Sequence, residues 1–126
     1  MEVLYFHLGG SPYAIPLPAI ADVAPAGPIQ AVPLSPPAIL GLAERRGRAI
    51  AVIDLPALLD APVSAGRVTA HLMRLTEPLH GAAFFVPAAV FSGTATPANS
   101  GHVFIDGHLH VLLDPGALVR RAAAFD

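Results

Sequence analysis

The chain has no cysteine, which excludes disulfides, thiol catalysis and thiolate metal sites. Charge is scarce as well. Only 13% of the 126 residues are charged, against about 25% in an ordinary globular domain. So few charges cannot cover a surface evenly. Either the apolar residues, 54% of the chain, are unusually well buried, or an apolar patch stays exposed for a partner. The length suits one ordinary domain or two very small ones sharing a core, and the exposed patch is the favoured expectation. An excess of positive charge is also missing. Seven basic and nine acidic residues give a net charge of −2. The one basic cluster, Arg45-Arg46-Gly47-Arg48, is too short to hold a duplex, so nucleic-acid binding is not expected. No long apolar run is present. The most apolar late segment, Leu79 to Phe91, has thirteen residues and contains Pro87, short of the roughly 18 that span a bilayer. The opening MEVLYFHLGG has an acid at position 2 and no basic region before its apolar run, so it does not read as a secretory signal. The expectation is a soluble cytoplasmic protein without direct membrane insertion. A P-loop, a dinucleotide glycine motif, a nucleophile elbow and a Ser-His-Asp spacing are all lacking. The chain is therefore expected to be non-enzymatic and to use no cofactor.

Proline, by contrast, is abundant, with fourteen residues. Inside a helix each removes a hydrogen bond and clashes with the preceding turn, at a cost of about 3 kcal/mol. Long helices are excluded, and short strands with turn punctuation recur instead. Val3 to Leu8 reads as a strand, Gly9 to Pro12 as its turn and Tyr13 to Leu17 as its partner, with Pro16 favouring an edge or bulged position. Ile20 to Ala24 is a third strand, and Ile29 to Val32 is extended. Pro36-Pro37 is expected to start one turn of helix through Leu40. Leu42 to Arg45 and Arg48 to Ile53 form a hairpin over the basic turn, and Pro56 to Leu59 is a brief helix. Further strands cover Val68 to Leu75, Ala82 to Val86, Val103 to Ile105 and His108 to Leu113. Asp106-Gly107 supplies the positive φ angles of a tight hairpin. A C-terminal helix begins at Pro115 and runs to about residue 124, with Arg120 and Arg121 placed to suit its dipole. The whole is a single domain over 1–126.

The stretch GLAERRGRAIAVIDLPALL (Gly41 to Leu59) returns sixty residues later in outline. Aligning Gly47 with Gly107 places Val52-Ile53-Asp54 on Leu112-Leu113-Asp114, and Ala57-Leu58-Leu59 on Ala117-Leu118-Val119. Two pseudo-repeated subdomains follow, divided near 60–66, where the first strand of one repeat can cross to the other lobe. Asp54 and Asp114 occupy equivalent points. A paired-carboxylate catalyst is conceivable, but helix N-caps explain both more simply. His102, His108 and His110 gather near the C-terminus, and the latter two share a strand face. Three imidazoles could hold zinc with an open position, yet no acid stands at ligand spacing, and no metal is expected. The different-class alternative is a small metal-dependent β-barrel enzyme built on these three histidines.

The Gly41–Leu59 segment resembles the signature of CheW-like domains, the adaptors of bacterial chemoreceptor arrays. Gly41, Arg46, Gly47, Asp54 and Leu55 fall on that pattern. YFHLGGSPYAIPLPAIADV resembles the family's opening hairpin, with Asp22 in place of a Glu. IQAVPLSPPAILG resembles its proline-containing link, and IDGHLHVLLDPGALV its last strand and helix. Glu44 and Arg45 replace the usual Asn and Leu, Val86-Pro87 replaces Val-Asp, and 90–102 is shorter by about fifteen to twenty-five residues than that pattern, where loop lengths are ordinarily short. The resemblance implies an all-β fold of two small intertwined SH3-like five-stranded barrels, the second shortened, with a short C-terminal helix. It implies an adaptor of chemotaxis-type two-component signal transduction, recruited to membrane receptor arrays. Its partners would be the regulatory domain of a CheA-like histidine kinase and the cytoplasmic tip of a methyl-accepting chemoreceptor. A divergent paralogue binding only one of the two is the alternative within the fold. Partner contacts are expected from Ile20, Asp22, Val32, Gly41, Leu42, Arg46 and Val86. Arg46 either organises the backbone and partner carboxylates with its planar fork or is a solvated hairpin arginine shielding a strand edge. Ile20 and Val32 either line the groove between the two lobes that the resemblance implies or are plain core.

Overall fold

Side chains alternate along a strand, and here both faces of several strands find a core. A computed structural model describes residues 1–62 and 69–124; Val68 and most of the 60–66 division lie outside the described residues. Eleven strands are found among the described residues. They are β1 (Glu2–Leu8), β2 (Ser11–Pro16), β3 (Ile20–Pro25), β4 (Ile39–Arg45), β5 (Arg48–Asp54), β6 (His71–Leu75), β7 (Ala82–Val86), β8 (Phe91–Thr94), β9 (Thr96–Pro97), β10 (His102–Ile105) and β11 (His108–Leu112). Two helices follow the hairpins, α1 (Leu55–Leu58) and α2 (Pro115–Ala122).

The strands form two sheets, ordered β8-β1-β2-β11-β10-β9 and β3-β6-β7-β5-β4. The first hairpin therefore joins the C-terminal sheet, so that both β1 and β2, and not a first strand alone, cross to the other lobe. The correspondence is complete in outline. The hairpin β4–β5 stacks in parallel on β7, and the hairpin β10–β11 stacks in parallel on β2. The turns match as well. Arg46-Gly47 has φ of 52° and 79°, and Asp106-Gly107 has 49° and 78°; two positive φ angles in a two-residue loop fit the strands' twist.

Three clusters make the core. Val3, Ala14, Ala95, Val103 and Ile105 fill the first sheet's curl. Ala43, Ile50, Val52, Leu72 and Ala83 fill the second's. Between the sheets lies a shared core containing Phe6, Ile15, Ile53, Met73, Phe84 and Leu113. Successive residues go to different clusters: Val52 to its own sheet's and Ile53 to the shared one, Leu72 to its own and Met73 to the shared one. This two-sided burial is why the chain is so apolar. Burying one such side chain contributes about 1.5–3 kcal/mol.

Both curls close the same way. After the outer strand β8, the chain passes Ala95 and pairs as β9 with β10. After β3 it passes 26–29 and meets β4, where Gln30 and Leu42 exchange backbone hydrogen bonds of 2.8 Å each. The second lobe thus keeps its strands despite the shortened 90–102 region, as strands of four and two residues.

Several sequence expectations are corrected. Residues 36–38 form a turn, not a helical start, and β4 begins at Ile39; pairing of Ile39 with Ile53 outweighs the local proline signal. Strand β2 is internal, and its Pro12 and Pro16 lie outside Tyr13–Ala14, the only residues paired to β11. Asp114 caps α2 by accepting from the Ala117 N–H at 3.3 Å, whereas Asp54 makes no side-chain cap bond. The end of α1 is secured instead by Arg121, which donates to the Leu58 carbonyl at 2.8 Å.

Gly41 sits at the closure with φ of 150°, and a Cβ there would run into the Gln30 carbonyl. Gly41→Ala is expected to lower stability by about 2 kcal/mol or more. An unchanged urea midpoint would show that the β4 contact with Gln30 is dispensable.

Candidate functional site

Asp22 stands at the seam of the second sheet. A register shift between Ile20 and Asp22 re-aims β3, and Asp22 then faces Arg74 of β6 directly. Arg74 donates through Nε at 2.8 Å, with a second nitrogen 2.7 Å from the same carboxylate oxygen. Arg45, on the sheet's other outer strand, reaches the second oxygen at 2.9 Å. One carboxylate thus holds two guanidinium forks and ties β3 to β4. The three side chains are each about a quarter exposed.

The ladder explains why Arg45 needs this partner. It lies directly opposite Arg48 across the hairpin, and like charges opposed on a ladder repel. Arg46, at the corner between them, is exposed. Arg45, Arg46, Arg48 and Arg74 together line a concavity of about 400 Å³ with Asp22 and His80.

The structure sorts the residues expected from the sequence. Asp22 and Arg46 meet at this concavity. Gly41 and Leu42 lie against the 30–31 segment, with Leu42 exposed. Val32 is exposed, so its plain-core reading fails, while Ile20 packs in the shared core. Val86 is a correction: it is 0% exposed and belongs to the shared core, so it has no surface to offer a partner. Strand β7 ends there because Pro87 follows.

Sequence reasoning missed two features. Arg45 was visible only as a departure in the signature, because the β3–β4 seam is long-range. Leu34 is 95% exposed with φ of 62°, an uncommon conformation for a bulky residue. It stands near Val32 in the chain, and an apolar residue so placed merits a role at an interface.

The histidine trio does not assemble. On the β10–β11 hairpin His102 faces Val111, whereas His110 faces Val103 and His108 faces Ile105. Opposed residues share a face, so His102 lies on the opposite face from the other two. Among the described residues no three His, Cys, Asp or Glu side chains are placed to hold a metal. His110 is buried instead, packed edge-on to Tyr5 and against His7. The other face of the hairpin carries a second surface: Phe104 and Leu109, directly opposed, and Val111, all exposed.

Two curled β-sheets sharing one core, with exposed surfaces on each, define a small two-lobed β-domain. A family model of the CheW-like domain matches residues 2–90, and the chain belongs to the CheW-like domain family. Its fold is similar to the crystal structure of the scaffolding protein TtCheW from Thermoanaerobacter tengcongensis, with a TM-score of 0.76 and 18% identity over 93% of this chain and 90% of that one. No curated protein matches the chain. No helix among the described residues is long and apolar enough to cross a membrane.

Asp22→Asn should cost about 1–2 kcal/mol, since two partly buried guanidinium groups lose their shared partner. The loss should grow as salt is lowered, because the unpaired arginines repel less when screened. Equal thermal midpoints for both proteins at low salt would contradict the seam assignment.

Proposed function

We propose that the chain is a non-enzymatic adaptor that couples a chemoreceptor to a CheA-like histidine kinase. Family membership supports the chemotaxis setting. The observation that carries the reading is the pair of exposed surfaces of different chemistry, one on each sheet. The second sheet offers Asp22 and Arg46 at the concavity, with Leu42, Val32 and Leu34 exposed on β4 and the loop preceding it. The first sheet offers the apolar trio Phe104, Leu109 and Val111. An adaptor needs two such surfaces on one body.

In this reading the receptor's cytoplasmic tip docks on the β3–β4 side, and the kinase regulatory domain on the β10–β11 face. A few well-packed anchors would carry most of the affinity, as in transient interfaces. Leu34 and Leu109 are the apolar anchors, and Arg46 the polar one. Ile20 and Gly41 act from behind: Ile20 anchors the start of β3 in the shared core, and Gly41 sets the position of the 30–31 segment. Receptor state reaches the kinase by differential affinity of the assembly for its on and off forms. The protein works in the cytoplasm at membrane receptor arrays, held there by its partners.

Co-elution with the kinase regulatory domain, and separately with a receptor-tip fragment, tests this. Both should be retained. Arg46→Ala is expected to weaken the receptor complex about tenfold, as an anchor worth more than 1 kcal/mol should, with little effect on the kinase complex. Leu109→Glu should do the reverse. Retention of one partner alone would make this a single-partner relative, and retention of neither by a folded protein would end the adaptor reading.

A further inference from the structure

All seven basic residues of the chain are arginine, and four of them line one concavity. With Asp22 as its one acid, that concavity has a formal charge of +3. The rest of the chain, with three basic and eight acidic residues, then carries −5, within a total of −2. Attraction of an anion to this molecule is thus a property of one place, not of its overall charge. The four guanidinium groups are not equivalent. Arg45 and Arg74 are held by Asp22 and still have unused N–H donors, since a guanidinium has five. Arg46 and Arg48 make no hydrogen bond or ion pair among the described residues. Two pre-positioned forks therefore lie behind two free ones.

We infer that this concavity binds a carboxylate-rich segment of a partner protein, with successive acidic side chains met by Arg46, Arg48 and the outer donors of Arg45 and Arg74. Arginine forks match carboxylates bidentately. The charges are spread over the end of β4, the turn after it, the start of β5 and the last residues of β6. A row of spaced carboxylates can follow that spread, whereas one compact phosphate group cannot reach all four. The apolar lining is limited to Ala49 and Ile50, and the lining has no Phe, Tyr or Trp. A nucleobase or acyl chain would find no slot, because small-molecule sites are lined mainly by apolar and aromatic groups. The inference rests on the adaptor reading only for which protein carries the acidic segment; the chemistry of the site stands apart from it.

The test uses the full chain, isotopically labelled for NMR. The probes are a ten-residue peptide alternating Glu and Ala, its counterpart with Gln for each Glu, and inorganic pyrophosphate. The Glu peptide should shift the amides of Arg48, Ala49 and Gly81, and its affinity should fall about tenfold or more between 25 and 300 mM salt as screening increases. Arg46→Glu combined with Arg48→Glu should abolish those shifts with the melting temperature kept, since both side chains are exposed. Arg48→Gln alone should weaken binding severalfold, and serves if the double variant misfolds. Arg120→Glu, on α2 and outside the concavity, should leave affinity unchanged. Equal binding of the Gln peptide, indifference to Arg48→Gln, or tighter binding of pyrophosphate than of the Glu peptide would each overturn the inference. The two readings fail separately. Peptide binding without co-elution of kinase or receptor removes the adaptor reading alone, and co-elution without peptide binding removes the acidic-segment site alone.

Discussion

The shared core between the two sheets is the constraint on which the rest of the structure depends. Phe6 and Ile15 come from the first hairpin, Ile53, Met73 and Phe84 from the second sheet, and Leu113 from the end of the first. No segment of the chain can leave that cluster without exposing the other sheet's inner face. Each sheet also needs a small core of its own, so β1, β6 and β7 are apolar on both sides. This accounts for a composition with 54% apolar and 13% charged residues. It also answers the opening alternative between exceptional burial and an exposed apolar patch, because both occur. The two-sided strands bury Val3, Leu4, Phe6, Leu72, Met73 and Phe84, while Phe104, Leu109 and Leu34 are among the large apolar residues left exposed.

The surfaces take their positions from this interlocked body. Closing the second sheet brings β3 back towards β4, and Asp22 fastens that seam to Arg45 and Arg74. The same closure aligns the basic turn beside them. In the first sheet the equivalent hairpin turns on Asp106-Gly107 and carries apolar residues on its outer face. The pseudo-repeat thus yields two corresponding hairpins with opposite chemistry. One is a row of arginines and the other an apolar ledge, an arrangement suited to two unlike partners.

Local signals in the sequence were sound where the structure is local. Asp106-Gly107 and Arg46-Gly47 form the tight turns their residues indicate, and the aligned segments both fold as hairpins. The failures came where a distant strand decides. Pro36-Pro37 looked like a helix start, but pairing with β5 made Ile39 a strand residue. Asp54 looked like the twin of Asp114, yet only Asp114 bonds a backbone N–H. The histidines looked clustered along the chain, but pairing set His102 on the far face. Of the residues expected to bind partners, Asp22 and Arg46 do share a concavity, while Val86 is core. Arg45 could not be matched to Asp22 from the sequence, because 23 residues separate them and only the sheet's curl brings them together.

If the shared core governs the molecule, the two sheets cannot open independently. Native-state hydrogen exchange measures this directly. The slowest amides of β1 and β11 in one sheet, and of β5 and β7 in the other, should exchange with the same opening free energy, equal to that of global unfolding and equally sensitive to denaturant. Opening of one sheet at a lower free energy, with the other still protected, would contradict the account and mean two lobes that merely touch.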